Sequence, residues 1–209
     1  MILSQRHKFI FIAIPKTGTH AIREFIRPYL GPYDWEQCNL FTSKSIPIPQ
    51  IAKLKHGHIS ANNLKKVLPG YTWNEYYSFA FVRNPYDRFL SYINFKFAKN
   101  EDYQKDANRF IIRFIQDTDA LDGKVLLRPQ CQFVYSEGTQ VVKFIGRYER
   151  ILEGIALIME TLDLQFDLSK FRVVNSSVRN RNGQELPDQA REFIRAYYSK
   201  DFELFGYAK

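Results

Sequence analysis

Short, uninterrupted apolar runs alternate along the chain with stretches in which apolar residues recur every three or four positions. Lys8 to Ile14 (KFIFIAI) reads as a buried strand, rich in Ile and Phe. Pro15 to Thr19 reads as a turn containing Gly18, after which Ile22, Phe25 and Ile26 fall on one face of an amphipathic helix. Gly31 to Gln50, with Pro32, Pro47 and Pro49, reads as a surface loop, and Leu54 to Ile59 as a short strand. Tyr76 to Val82 (YYSFAFV) is a second buried strand. Asn84-Pro85 opens a helix to about Ala98, because proline in a first helical turn needs no N–H. Helical spacing of Phe110, Ile111, Phe114 and Ile115 marks a helix within 103–117, Val141 to Ile145 is a third strand, and helices cover 150–162 and 187–198. Strands alternating with helices predict an α/β fold: a single domain, 1–209, whose central, mostly parallel sheet is flanked by helices.

Composition narrows the class. At 45% hydrophobic and 16% aromatic, the 209 residues suffice for a core and exclude a disordered chain. The longest apolar run near the start, Phe9 to Ile14, is far shorter than the ~20 residues of a membrane-spanning helix, and no transmembrane segment is expected. Cys38 and Cys131 show neither partner spacing nor a metal-site pattern, which points to a reducing, cytoplasmic setting. The net charge of +8 lies wholly in one half: residues 1–100 carry 14 basic and 5 acidic side chains, the remainder 16 and 17. Such asymmetry points to an anionic partner. Nucleic acid is not the partner expected, since no basic run exceeds Lys65-Lys66 and no motif that reads bases is present. Nothing in the pattern specifies an oligomeric state.

Three segments carry candidate chemistry. Pro15-Lys16-Thr17-Gly18-Thr19-His20 lies between a buried strand and a helix. There Gly permits close approach, backbone and hydroxyl groups donate, and Lys supplies charge to a phosphate. It is not a Walker A loop, because Lys16 precedes the only glycine, and it equally fits an ordinary β–α turn. Arg83 ends the second strand, where open α/β sheets bind ligands, and Ser91 lies eight residues on. Alternatively Arg83 pairs with Asp87. In Lys55-His56-Gly57-His58-Ile59, two histidines at i and i+2 share one face of a strand. They suit a proton acceptor, a metal pair without its remaining ligands, or two structural histidines.

Together the three segments resemble the carbohydrate sulfotransferases that use 3′-phosphoadenosine-5′-phosphosulfate (PAPS), in particular the branch containing heparan sulfate 2-O-sulfotransferase. The resemblance spans about residues 9–207 and includes Arg128-Pro129-Gln130, Ile145-Gly146-Arg147-Tyr148-Glu149, Asn175-Ser176-Ser177-Val178-Arg179 and the ending from Tyr198 to Tyr207. It implies a P-loop-like sulfotransferase fold and transfer of a sulfonate to an acceptor hydroxyl, releasing adenosine 3′,5′-bisphosphate. By this resemblance Pro15, Lys16, Thr17, Gly18, Thr19 and His20 hold the 5′-phosphosulfate, with Lys16 stabilising the leaving oxygen. Arg83 and Ser91 hold the 3′-phosphate, with Ser176 and Arg179 as late contacts. His58 ranks first as the base, His56 second, and Glu24, eight residues after Lys16, third. No metal is demanded. The acceptor implied is a glycan hydroxyl, and the charge asymmetry suits an acidic glycan.

Two rival readings remain: a nucleotide kinase with a degenerate P-loop, and a non-enzymatic polyanion-binding module.

Overall fold

A computed structural model of the chain describes residues 1–37, 48–54, 56–117, 124–172 and 185–209. In chain order the elements are β1 (Ile2–Ser4), β2 (Phe9–Ile12), α1 (Thr19–Ile26), β3 (Trp35–Glu36), α2 (Pro49–Ala52), α3 (Ala61–Val67), α4 (Gly70–Glu75) and β4 (Tyr77–Val82). Next come α5 (Pro85–Phe97), α6 (Glu101–Lys105), α7 (Ala107–Gln116), α8 (Cys131–Val134), β5 (Tyr135–Ser136), β6 (Thr139–Gln140) and β7 (Phe144–Arg147). The last three helices are α9 (Ile151–Thr161), α10 (Asp188–Tyr197) and α11 (Ser199–Phe205). The expected single domain is built as two compact units, Met1–Val82 with Gln132–Val174, and Arg83–Cys131 with Asn175–Lys209. Among the described residues, no helix is long and apolar enough to cross a membrane.

The first unit holds a five-stranded mixed sheet in the order β3-β1-β2-β4-β7. Its parallel part is β2, β4 and β7, the strands visible in the sequence, with Ile12 opposite Ala80 and Val82 opposite Arg147. β1 and β3 extend it antiparallel, so the sheet is mixed rather than mostly parallel. These two strands are too short for their periodicity to show. The expected surface loop from Gly31 therefore contains a paired strand, and Asp34, Glu36 and Gln37 are buried; residues 38–47 lie outside the described part. β7 starts three residues later than expected, because Val141 N–H is taken by the Val134 carbonyl beside the β5–β6 hairpin. No strand forms at 56–59, where the chain bends at His56-Gly57.

Because β2, β4 and β7 are parallel neighbours, their carboxyl ends share one edge of the sheet. α1 and α9 cover this sheet: Phe9, Phe11, Phe79 and Phe81 pack with Ile22, Phe25 and Ile26 of α1 and Ile151, Ile155 and Ile158 of α9. The Phe81 ring lies against two glycines, one in β7 and one in α9. A Cβ at Gly146 would sit 2.5 Å from it, and one at Gly154 2.6 Å.

The second unit is a helical core in which Phe89, Tyr92 and Ile93 of α5 meet Ile111, Phe114 and Ile115 of α7, Ala190 and Ile194 of α10, and Phe202 of α11. α5 starts where Asn84 Oδ1 accepts from Tyr86 N–H and Pro85 occupies the first turn.

Gly154→Ala tests the packing of Phe81. Helix propensity alone would make the substitution stabilising by about 1 kcal/mol. Overpacking against a fully buried ring costs about 1–3 kcal/mol, so net destabilisation in urea unfolding is expected. Gly70→Ala, where an added Cβ meets nothing within 4 Å, is expected to be neutral or stabilising. Equal or greater stability of Gly154→Ala would show that the ring yields.

Candidate active site

The loop after β2 is shaped by two left-handed residues, Lys16 at φ 66° and Gly18 at φ 78°. Gly18 is required twice over. A side chain there would be strained, and its Cβ would lie 2.9 Å from the Tyr148 ring. Gly18 occupies the cap position of α1 and has no side chain with which to accept from the N–H groups of its first turn. The first turn also contains no acidic residue to offset the positive end of the helix. Lys16, Thr19 and His20 are half-buried, whereas Pro15 is buried. Thr17 departs from the expected role: fully buried, it donates its hydroxyl proton to the Ile14 carbonyl at 3.0 Å. Its hydroxyl braces the loop, and only its backbone N–H remains for a phosphate.

The His-Gly-His segment reaches this loop across 45 residues of sequence: His58 Nδ1 lies 2.8 Å from the carbonyl oxygen of Ala13, the residue after β2 that leads into the loop. A carbonyl only accepts, so Nδ1 carries the proton and the Nε2 lone pair is the basic one. His56 has the opposite arrangement. Its Nδ1 accepts from His58 N–H at 3.2 Å, which puts the proton of a neutral ring on Nε2. His58 thus offers a lone pair at its outer nitrogen and His56 a donor. The rings lie 6.3 Å apart with planes 22° from parallel.

Gly57 between them is held by a buried cation. Arg23 donates to the Gly57 carbonyl at 2.9 Å and to the Gln37 carbonyl at 2.9 Å, and the Met1 amino group donates to Gly57 at 2.8 Å. A Cβ at Gly57 would lie 2.6 Å from the Gln37 oxygen, so only glycine fits. Arg23 is neutralised by Glu36, which also accepts from Arg27 at 2.8 Å. Burial would raise the Glu36 carboxyl, but Arg27 and Arg23 hold it below the ordinary carboxylate range. Glu24, the third candidate base, lies exposed on α1 at 3.2 Å from His20 Nδ1. Among the described residues, no group of three or more His, Cys, Asp or Glu is placed to hold a metal.

In the second unit, Arg83 and Ser91 are half-buried and Asp87 is exposed. Both backbone groups of Arg83 are bound by one side chain: Gln130 Oε1 accepts from Arg83 N–H at 2.8 Å, and Gln130 Nε2 donates to the Arg83 carbonyl at 2.9 Å. Gln130 itself was legible only as part of an Arg-Pro-Gln landmark without a role. Ser176 and Arg179 lie outside the described residues.

Burial, reinforced by the positive charges of the Met1 amino group and Arg23, pushes His58 down to about 3, against the hydrogen bond to Ala13, which raises it. A folded-state value below the ordinary 6.5 means that the neutral ring stabilises the fold above about pH 6.5, and that this contribution is lost as pH falls towards 3. Wild type is therefore expected to lose more stability than His58→Gln between about pH 7 and about pH 5 in thermal melts. Equal losses would contradict the buried neutral ring.

A strand–loop–helix with glycine at the helix start, and a histidine tied to its base, suits transfer of an anionic group. Comparison with known proteins agrees: the profile of the Sulfotransferase family matches residues 1–208. No match is found among curated proteins or among solved structures. With nearly its whole length covered, the chain belongs to the sulfotransferase family, the transferases of sulfonate groups.

Proposed function

We propose that the protein is a cytoplasmic O-sulfotransferase that uses PAPS and modifies a sugar hydroxyl, in the manner of the heparan sulfate 2-O-sulfotransferase branch. The observation that carries this reading is the His58–Ala13 hydrogen bond, which fixes a proton acceptor to the base of the candidate anion loop. The loop from Lys16 to His20 takes the 5′-phosphosulfate by backbone N–H groups and the positive end of α1. Arg83 and Ser91 take the 3′-phosphate, with Ser176 and Arg179 as further contacts.

In the reaction, the acceptor oxygen attacks sulfur in line with the bridging oxygen of the phosphosulfate. The sulfur–oxygen bond to the phosphate breaks, and His58 Nε2 receives the hydroxyl proton. Lys16 stabilises charge gathering on the departing phosphate. His56, with a donor at Nε2, orients the acceptor. His58 is a weak base in the ligand-free chain. Burial is the main cause, and an anion in the loop opposes the positive charges that add to it, which moves the pKa upward. The transferred sulfonate carries one negative charge, so the reaction does not require a metal. The acceptor is proposed to be an acidic glycan, on the strength of the basic first half of the chain.

Labelled PAPS offered with a panel of glycans is expected to label an acidic one. His58→Ala is expected to lower kcat by ~10²–10⁴, and turnover within about threefold of wild type would remove His58 as the base. Adenosine 3′,5′-bisphosphate is expected to raise the melting temperature while Mg-ATP leaves it unchanged. The reverse would favour a nucleotide kinase. Strong, salt-sensitive binding to unrelated polyanions with no response to the bisphosphate would favour a binding module.

A further inference from the structure

Arg83 stands where β4 has ended at Val82 and the helix cap at Asn84 begins, so its N–H and C=O belong to neither ladder nor helix. Buried backbone groups in that position need partners. Gln130 supplies both from a single planar amide, an acceptor at 2.8 Å and a donor at 2.9 Å. No other side chain of this length does so: Glu offers acceptors only, and Asn is one methylene shorter.

The clamp is itself clamped. Asp201 Oδ2 accepts from Gln130 N–H and Oδ1 from Cys131 N–H, each at 2.8 Å. Gln130 and Asp201 are both fully buried. The preceding backbone is fixed in the same way. Arg88 donates to the carbonyls of Leu126 at 3.1 Å and Arg128 at 2.8 Å, and the Tyr198 hydroxyl donates to Leu127 at 2.7 Å. Residues 126–130 are thus an irregular strap leading into α8, its backbone held by three buried polar side chains and its last side chain, the Gln130 amide, on Arg83.

We infer that Gln130, held by Asp201, is a positioning residue that sets the Arg83 backbone so that its guanidinium reads the 3′-phosphate of the nucleotide. The inference rests on the proposed role of Arg83. An arginine on a backbone free to shift by an ångström loses the geometry that distinguishes a phosphate from solvent. Gln130 and Asp201 touch no ligand in this scheme. Their effect passes through Arg83 and falls on one end of the nucleotide.

The test compares affinities for adenosine 3′,5′-bisphosphate and adenosine 5′-monophosphate by calorimetry, in wild type, Arg83→Ala, Gln130→Met and the double variant. Wild type is expected to prefer the bisphosphate. Gln130→Met is expected to cut that preference about tenfold, the scale of lost hydrogen bonds, while affinity for the monophosphate stays within about twofold. In the Arg83→Ala background, Gln130→Met is expected to change the preference no further. Gln130→Glu keeps the bond from Arg83 N–H and loses the other, so it is expected to fall between wild type and Gln130→Met, and it serves if Gln130→Met does not fold. If Arg83→Ala abolishes the preference but both Gln130 variants retain it, the positioning role is wrong and the phosphate role stands. Equal losses for both ligands, or a full effect of Gln130→Met without Arg83, would likewise overturn it as a merely structural effect. If Arg83→Ala keeps the preference, the phosphate role of Arg83 fails first and takes this inference with it.

Discussion

Irregular backbone has to be hydrogen-bonded wherever water is excluded, and Lys16, His56, His58 and Arg83 all stand on irregular backbone. A buried carbonyl or N–H without a partner costs about 1–3 kcal/mol, so such segments persist only where side chains meet that demand. Arg23 does so for Gln37 and Gly57, and Arg88, Tyr198 and Asp201 do so for 126–131. Within the first unit the result is a histidine pair with complementary tautomers. Within the second it is an arginine held by its main chain. In each unit, the placement of a chemically active side chain follows from satisfying the backbone of its neighbours.

This accounting changes the meaning of the basic charge. Arg23 and Arg27 are tied to Glu36, and Arg88 is buried with its guanidinium on main-chain carbonyls. Three of the cations that make the first half of the chain basic therefore serve the fold. The buried Arg23–Glu36 pair is a poor source of net stability, because desolvation offsets much of the attraction. Its value lies in direction: a guanidinium with fixed orientation satisfies two carbonyls at once. Burial chiefly lowers the proton affinity of His58, and the same cation lowers it further.

Strands β2 and β4 and the loops that follow them were legible because each is a dense apolar run closed by proline or asparagine: Ile14-Pro15 after β2 and Asn84-Pro85 after β4. β1 and β3 were not, since three and two residues carry no measurable period. His56 and His58 suggested a strand through their i, i+2 spacing, but Gly57 gives its carbonyl to Arg23 rather than to a ladder. Thr17 looked like a phosphate ligand and turns inward, a choice made by the Ile14 carbonyl, which has no signature in sequence. Gln130 and Asp201 act over separations of 47 and 71 residues, where neither spacing nor periodicity carries information.

Lys16 holds a left-handed backbone, φ 66°, that a residue with a Cβ adopts at a cost of roughly 1–2 kcal/mol. Its neighbours are held by the packing of Gly18 under Tyr148 and the bracing of Thr17. A loop braced in this way is shaped by the fold itself, and its conformational entropy is lost on folding.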